Sequence, residues 1–290
     1  MQYLIDHTEQ KWALRYQSHG RENGAATYSR ELVKYQAPLW QRDGIDVLIS
    51  TCPLLETVDD LPDEVDVVVQ YLHTYPYTMP LKQVRHTIRD LKVKYKKIVF
   101  VTAYHSFHKL MQANGIDSMY IPMTIDAKQV LERKTTADYH KDKAVIYFGN
   151  VVEEKMSVYN RLKNSFIKEG WRFDTISLNR FNGLPIKQQD AWEIVQAYDY
   201  GIGVGRCALE MLALDLKVMI AGIEFAGIMT NEHDFDVQRR TNMNGRVVTF
   251  DRSVETCIAS FEQSITRTSD IHEELPHIKS MIDDYLLKLT

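Results

Sequence analysis

The sequence predicts an α/β protein of two domains, each built on a mainly parallel sheet with helices packed against it. Three observations predict this. Short β-rich runs alternate with helical periods along most of the 290 residues, enough for two cores. The stretch 199–222, DYGIGVGRCALEMLALDLKVMIAG, reads as strand, tight turn, helix and strand, a βαβ unit. A polar segment free of glycine and proline, AKQVLERKTTADYHKDK at 127–143, separates two such series, which places the interdomain connection at 131–143.

In the first domain, 1–130, the run 11–18 forms a strand. A loop with Gly20 and Gly24 follows and enters a helix near Tyr28, capped by Thr27 or Ser29. Residues 45–50 and 65–71 give two further strands, the second rich in β-branched residues. His73 follows it on a loop, where a neutral imidazole can bond a ligand hydroxyl or simply a backbone group.

Residues 80–97 form a helix with Leu81, Val84, Ile88 and Leu91 on one stripe and seven Lys or Arg against the lone Asp90. Its basic face, including Lys82, Arg85, Arg89 and Lys92, is either solvated surface or a site for an anionic partner such as DNA, a phospholipid surface or a phosphorylated glycan. A strand at 97–103 and a helix to Ala113 complete an alternation that suggests a doubly wound sheet. His105 and His108 are spaced for a metal, but no further His or Cys cluster supports one, so they read as lining the strand-to-helix turn.

The second domain spans 144–274. A strand at 144–149 precedes a helix at 157–169, a strand at 172–176 and a loop at 177–190, in which Asn179, Arg180 and Phe181 can meet a planar ligand. A helix then leads into the βαβ unit. Glu210 is the polar exception in an apolar helix just beyond the carboxyl end of a strand, where open α/β sheets bind ligands. There it can accept bonds from vicinal hydroxyls or merely complement the helix dipole. Residues 221–235 read as a loop lining the same crevice. The last helix, within 275–290, carries an apolar face formed by Ile278, Met281, Ile282, Tyr285 and Leu289.

The residues GRCALEMLALDLKVMIAG resemble the nucleotide-sugar segment of GT-B glycosyltransferases, above all the large retaining family. The resemblance implies a GT-B fold: two Rossmann-like domains facing across a cleft, with the C-terminal helix returning to the first domain. It implies that Glu210 holds the donor ribose. Ile202 stands where the family has an earlier acid. The run AVIYFGNVVEEK is similar to the family's diphosphate clamp, with Gly149 at the turn, Lys155 matching the clamp lysine and Asn150 near the place of its arginine. Arg206, after Gly205, is the base that can take over.

By the same resemblance Gly24 and Ala25 face the donor, Phe181 stacks on the nucleobase, and His73 touches the transferred sugar or its acceptor. The implied donor is a nucleotide sugar, UDP- or GDP-linked, with no tightly bound cofactor and no metal. The implied acceptors are modified bases of DNA, as in compact phage-type enzymes of this fold, or a glycan or lipid met by peripheral membrane contact. A non-catalytic nucleotide-binding sensor or scaffold is the rival from another class.

A net charge of −4, with 44% hydrophobic and 26% charged residues, excludes a wholly basic nucleic-acid binder. Three widely spaced cysteines, no run of 18 apolar residues and acids near the start of the chain predict a cytoplasmic protein with reduced thiols.

Overall fold

The structure is a computed structural model that describes residues 2–7, 10–15, 47–50, 67–72, 81–94, 97–122, 125, 130–132, 143–187, 190–245 and 253–266. The chain divides into two compact units, Met1–Pro122 with Ile278–Thr290, and Met123–His277. Both described sheets are mixed, mainly parallel and accompanied by helices.

The first unit opens with β1 (Gln2–His7) and β2 (Gln10–Arg15), an antiparallel pair with Ile5 opposite Trp12. Strands β3 (Val47–Ser50) and β4 (Val67–Leu72) follow, then α1 (Leu81–Lys94), β5 (Lys97–Thr102), α2 (His105–Ala113) and β6 (Ser118–Tyr120). From β2 to β6 the strands pair in parallel and lie in chain order. Phe100 and Val101 of β5 are buried, as are Phe107 and Met111 of α2. The sequence suggests a doubly wound sheet here, but the described strand order contains no reversal. No topological switch point lies among the described strands of this sheet.

The second unit contains β7 (Ala144–Phe148), α3 (Glu153–Lys168), β8 (Arg172–Ser177), β9 (Arg180–Phe181), β10 (Leu184–Pro185), α4 (Asp190–Val195), β11 (Tyr200–Gly203) and α5 (Arg206–Ala213). Then come β12 (Lys217–Ala221), β13 (Phe225–Ile228), α6 (Glu232–Arg240), α7 (Val254–Ala259) and a 3-10 turn at Phe261–Gln263. The sheet order is β10-β9-β8-β7-β11-β12-β13. Its central strands β8, β7, β11 and β12 are parallel.

Strand β7 is apolar along its whole length because both faces of the sheet are covered. Ala144 and Ile146 pack with residues of α4 and α5, whereas Val145 and Tyr147 pack with residues of α3 and α7. This half is therefore doubly wound. The chain enters the sheet at β7, adds β8 on one side, then returns to add β11 on the other. The strand order reverses between β7 and β11, and open α/β sheets bind ligands outside the carboxyl ends of strands at such a point.

Three segments depart from the sequence reading. Residues 177–190 contain a hairpin, β9–β10, whose turn residues Asn182 and Gly183 have φ values of 48° and 86°. Positive φ at both positions is the pairing that two-residue hairpin turns favour. Residues 221–235 form an edge strand, β13, antiparallel to β12, followed by the start of α6. Asn231 caps that helix by accepting from the Asp234 amide at 3.0 Å. Helix α3 begins at Glu153, with Glu153 and Glu154 in its first turn, where carboxylates suit the positive end of the dipole. That start puts Lys155 inside the first turn. The expected returning helix at 275–290 lies outside the described residues, and so do Gly24, Ala25 and His73.

Candidate functional site

The carboxyl ends of β7 and β11 converge on a small set of side chains from α3 and α5. Alternate glycines in YGIGVG make this possible. A Cβ at Gly203 would lie 2.8 Å from the Phe148 carbonyl oxygen and 2.8 Å from Met211 Cε, and one at Gly201 would collide with Met211 Sδ. Their hydrogens let α5 rest directly on β11, while Ile202 between them is fully buried on the opposite face.

Gly205 then turns the chain with φ 56° and ψ −128°, a conformation that favours glycine. Its amide donates to the Met243 carbonyl at 2.7 Å. Asn242, Met243 and Gly245 in that neighbouring turn also have positive φ.

Helix α5 starts at Arg206. Arg206 Nε donates to Glu210 Oε1 at 2.7 Å, an ion pair between successive turns, with side-chain exposures of 13% and 5%. Glu210 is thus the counter-charge of its own helix's first residue. Cys207, half-buried beside the pair, has its thiol pushed up to about 12 by burial and by the Glu210 carboxylate, partly opposed by Lys155 and Arg206. It is a neutral thiol at physiological pH.

Lys155 approaches from α3 on the other side of the switch point. Burial lowers its pKa from the ordinary lysine value, and Cys207 and Glu154 partly oppose this. Among the described residues, no ion pair or side-chain hydrogen bond engages its ammonium group. Tyr147, at the end of β7, has its hydroxyl pKa raised by burial and by the nearby Cys207 and Tyr159. The arrangement brings Lys155, Arg206 and the Glu210 carboxylate to the topological switch point, with Glu154 also beside Lys155. Its evident chemical capacity is to hold an anion, since a partly buried ammonium with no ion pair among the described residues gains from one.

No family model matches this chain and no curated protein matches it. Among solved structures it is similar to an alpha-glucosyltransferase in complex with UDP-glucose and DNA containing an abasic site. The identity is 13%, the match covers 88% of this chain and 84% of that one, and the TM-score is 0.35. A likeness of this size leaves the chemistry to be argued from the residues themselves.

Asn150, exposed after β7, accepts from the Leu178 amide at 3.2 Å, and the Val151 amide donates to Ser177 Oγ at 3.0 Å. These bonds tie the loops after β7 and β8 together beside Gly149, where a Cβ would find only Tyr147 at 3.9 Å. Phe181 is partly buried against the core cluster that includes α4 and α5. Arg180 is exposed and donates to the Gly183 carbonyl at 3.4 Å.

In the first unit, Arg85, Arg89 and Lys92 are exposed on α1, and Lys82 lies in its first turn. Arg85 donates to Asn114, and Arg89 pairs with Asp90 at 3.5 Å. The spacing of 85, 89 and 92 puts them on one stripe of the helix. His108 Nδ1 lies 2.9 Å from Ser118 Oγ, and burial lowers its pKa against the pull of Asp117. His105 packs edge-on against Tyr120. Among the described residues no cluster of three His, Cys, Asp or Glu is arranged to hold a metal, and no helix is long and apolar enough to cross a membrane.

Residues that sequence reasoning missed are Tyr147 and Cys207. A hydroxyl inside an otherwise apolar strand was the available signal for Tyr147. Cys207 carried none, because its importance lies in what surrounds it.

Proposed function

We propose that this protein is a nucleotide-sugar-dependent glycosyltransferase of GT-B type, with the donor bound by the second unit. One observation carries the reading: a partly buried Lys155, with no ion pair among the described residues, and the Arg206–Glu210 pair both lie at the β7–β11 switch point. The resemblance of the 146–155 and 203–222 segments to the donor site of that family supports it.

In this reading Lys155 and Arg206 face the donor diphosphate and Glu210 completes the site, with Gly149, Asn150 and Gly205 forming its floor. Growing negative charge on the leaving diphosphate is offset by fixed cations in a site poor in water, where such compensation is worth most. Transfer proceeds with retention and without a metal. Gly24 and Ala25 face the donor, Phe181 stacks on the nucleobase, and His73 touches the transferred sugar or its acceptor. The acceptor is DNA bearing hydroxylated bases, and Lys82, Arg85, Arg89 and Lys92 hold its backbone.

A non-catalytic nucleotide sensor is the second reading. It is favoured by Ile202, buried in the sheet where the family has an acid. Incubation with radiolabelled UDP- and GDP-sugars separates the two, with and without DNA containing hydroxymethylated bases. Label in the DNA supports the enzyme. Nucleotide binding with neither donor hydrolysis nor transfer to DNA, glycan or lipid acceptors establishes the sensor.

A further inference from the structure

The Arg206–Glu210 pair assigns Glu210 a role that its sequence context does not. Arg206 is the first residue of α5, at the carboxyl edge of the sheet, and Glu210 lies one turn deeper. Exposure follows the same order, 13% for the Arg206 side chain and 5% for that of Glu210. A ligand entering at the strand ends therefore meets the guanidinium before the carboxylate. The carboxylate grips the guanidinium at Nε, from the side, which fixes the plane of that group.

Lys155, a cation with no such partner among the described residues, also lies near Cys207. The two cations thus arrive differently, one held by a buried carboxylate and one with no ion pair among the described residues.

We infer that Glu210 is a positioning residue, acting on the donor through Arg206, and that the buried pair presents a fixed guanidinium to the donor diphosphate. This rests on the donor-site reading above and changes one role within it: the ribose hydroxyls are not what Glu210 recognises. The physical basis is preorganisation. An arginine whose plane is already set loses less side-chain freedom when it binds an oxyanion than one that must be ordered by the ligand. The buried carboxylate also lowers the cost of keeping a guanidinium at a site poor in water before any ligand arrives.

Calorimetric titration with inorganic pyrophosphate, which has no ribose, separates this role from direct ribose binding. The titrations use the intact protein and its Glu210→Gln variant. A parallel set uses uridine and guanosine diphosphates with their 2′,3′-dideoxy counterparts.

The expected result is that Glu210→Gln weakens pyrophosphate and nucleoside diphosphate by the same factor, about tenfold. Wild type binds ribo and dideoxy nucleotides within about threefold of each other, a difference under one hydrogen bond. The inference is overturned if Glu210→Gln leaves pyrophosphate affinity unchanged. It is also overturned if the wild type loses about tenfold or more on removal of the diol, and this arm needs no variant to fold. If neither pyrophosphate nor either nucleotide binds the wild type, the donor-site reading falls and takes this inference with it.

Discussion

Replacing Gly203 by alanine tests how closely α5 rests on the switch point. The new Cβ would sit 2.8 Å from the Phe148 carbonyl oxygen, whereas ordinary contacts begin at 3.4 Å, so 0.6 Å must be found. That oxygen belongs to the backbone of β7, which pairs with β11 in parallel through Ile202↔Tyr147. It cannot swing aside as a side chain can. The same Cβ also meets Met211 Cε, and Met211 is fully buried. Overpacking of this kind costs about 2 kcal/mol, and the lower unfolded-state entropy of alanine recovers only about 0.5 kcal/mol. Gly201→Ala differs because its close neighbours are side-chain atoms of Met211 and Leu216, and methionine repacks readily. Gly203→Ala should therefore be the more damaging of the two. Its midpoint should fall by roughly 3–6 °C in thermal unfolding followed by circular dichroism. A Gly203→Ala protein as stable as wild type, or more stable than Gly201→Ala, would refute the close packing of α5 on β11.

Three further outcomes follow from the same geometry. Asp174 is buried; burial alone would raise its pKa, but bonds from Tyr198 at 2.6 Å, Asn182 at 2.8 Å and Arg172 at 2.7 Å hold it below the usual value of 3.8. A depressed folded-state pKa gives stability that is present above 3.8 and lost as pH falls through the lower folded value. Asp174→Asn should cost about 2 kcal/mol at neutral pH and flatten the acid limb of a urea-midpoint profile.

Arg206→Met should destabilise by about 3 kcal/mol because it removes the charged partner of the buried Glu210 carboxylate, whereas Arg206→Met/Glu210→Met should recover most of that loss. Additive urea denaturation energies would contradict a buried pair. Charge reversal at Arg85, Arg89 and Lys92 should leave the unfolding midpoint nearly unchanged. It should also reduce the steepness of the salt dependence of DNA binding by about three in a log–log plot of affinity against salt. An unaltered slope in a fluorescence titration would place the acceptor elsewhere.

The elements of the second unit that position the site were legible because strongly apolar strands leave a strong period. AVIYF and KVMIA are buried on both faces and read as continuous apolar runs. The helix at 206–213 was bounded by its glycine turn.

Other elements hid for identifiable reasons. The Asn182-Gly183 dipeptide is a hairpin signal, but the strands it joins have two residues each, too short for alternation to register. Strand β13 reads FAGI, and Gly227 inside it, at φ 93°, looks like loop chemistry. Helix α6, EHDFDVQRR, has little apolar periodicity and declares itself only through its Asn231 cap.

In the site, Arg206 and Glu210 stand four residues apart, the spacing of a helical ion pair, so their contact was available from sequence. The burial that makes one member shield the other was not, nor was the desolvation of Lys155. Both depend on how α3 and α5 meet across β7 and β11, which no local pattern encodes. The order of the first sheet was equally invisible, since alternation of strand and helix does not say on which edge each strand is added.

The most direct test of the account compares Lys155→Met with wild type in thermal unfolding, alone and with saturating UDP, GDP, ADP or CMP and their sugars. Methionine keeps much of the side-chain volume and removes a charge that burial disfavours, so the unliganded variant should match or exceed wild type in melting temperature. A ligand that binds only the native state raises that temperature by mass action. At least one nucleotide should stabilise wild type and lose most of its effect in Lys155→Met. A nucleotide that stabilises both proteins equally, or a panel that stabilises neither, would contradict an anion site at the β7–β11 switch point.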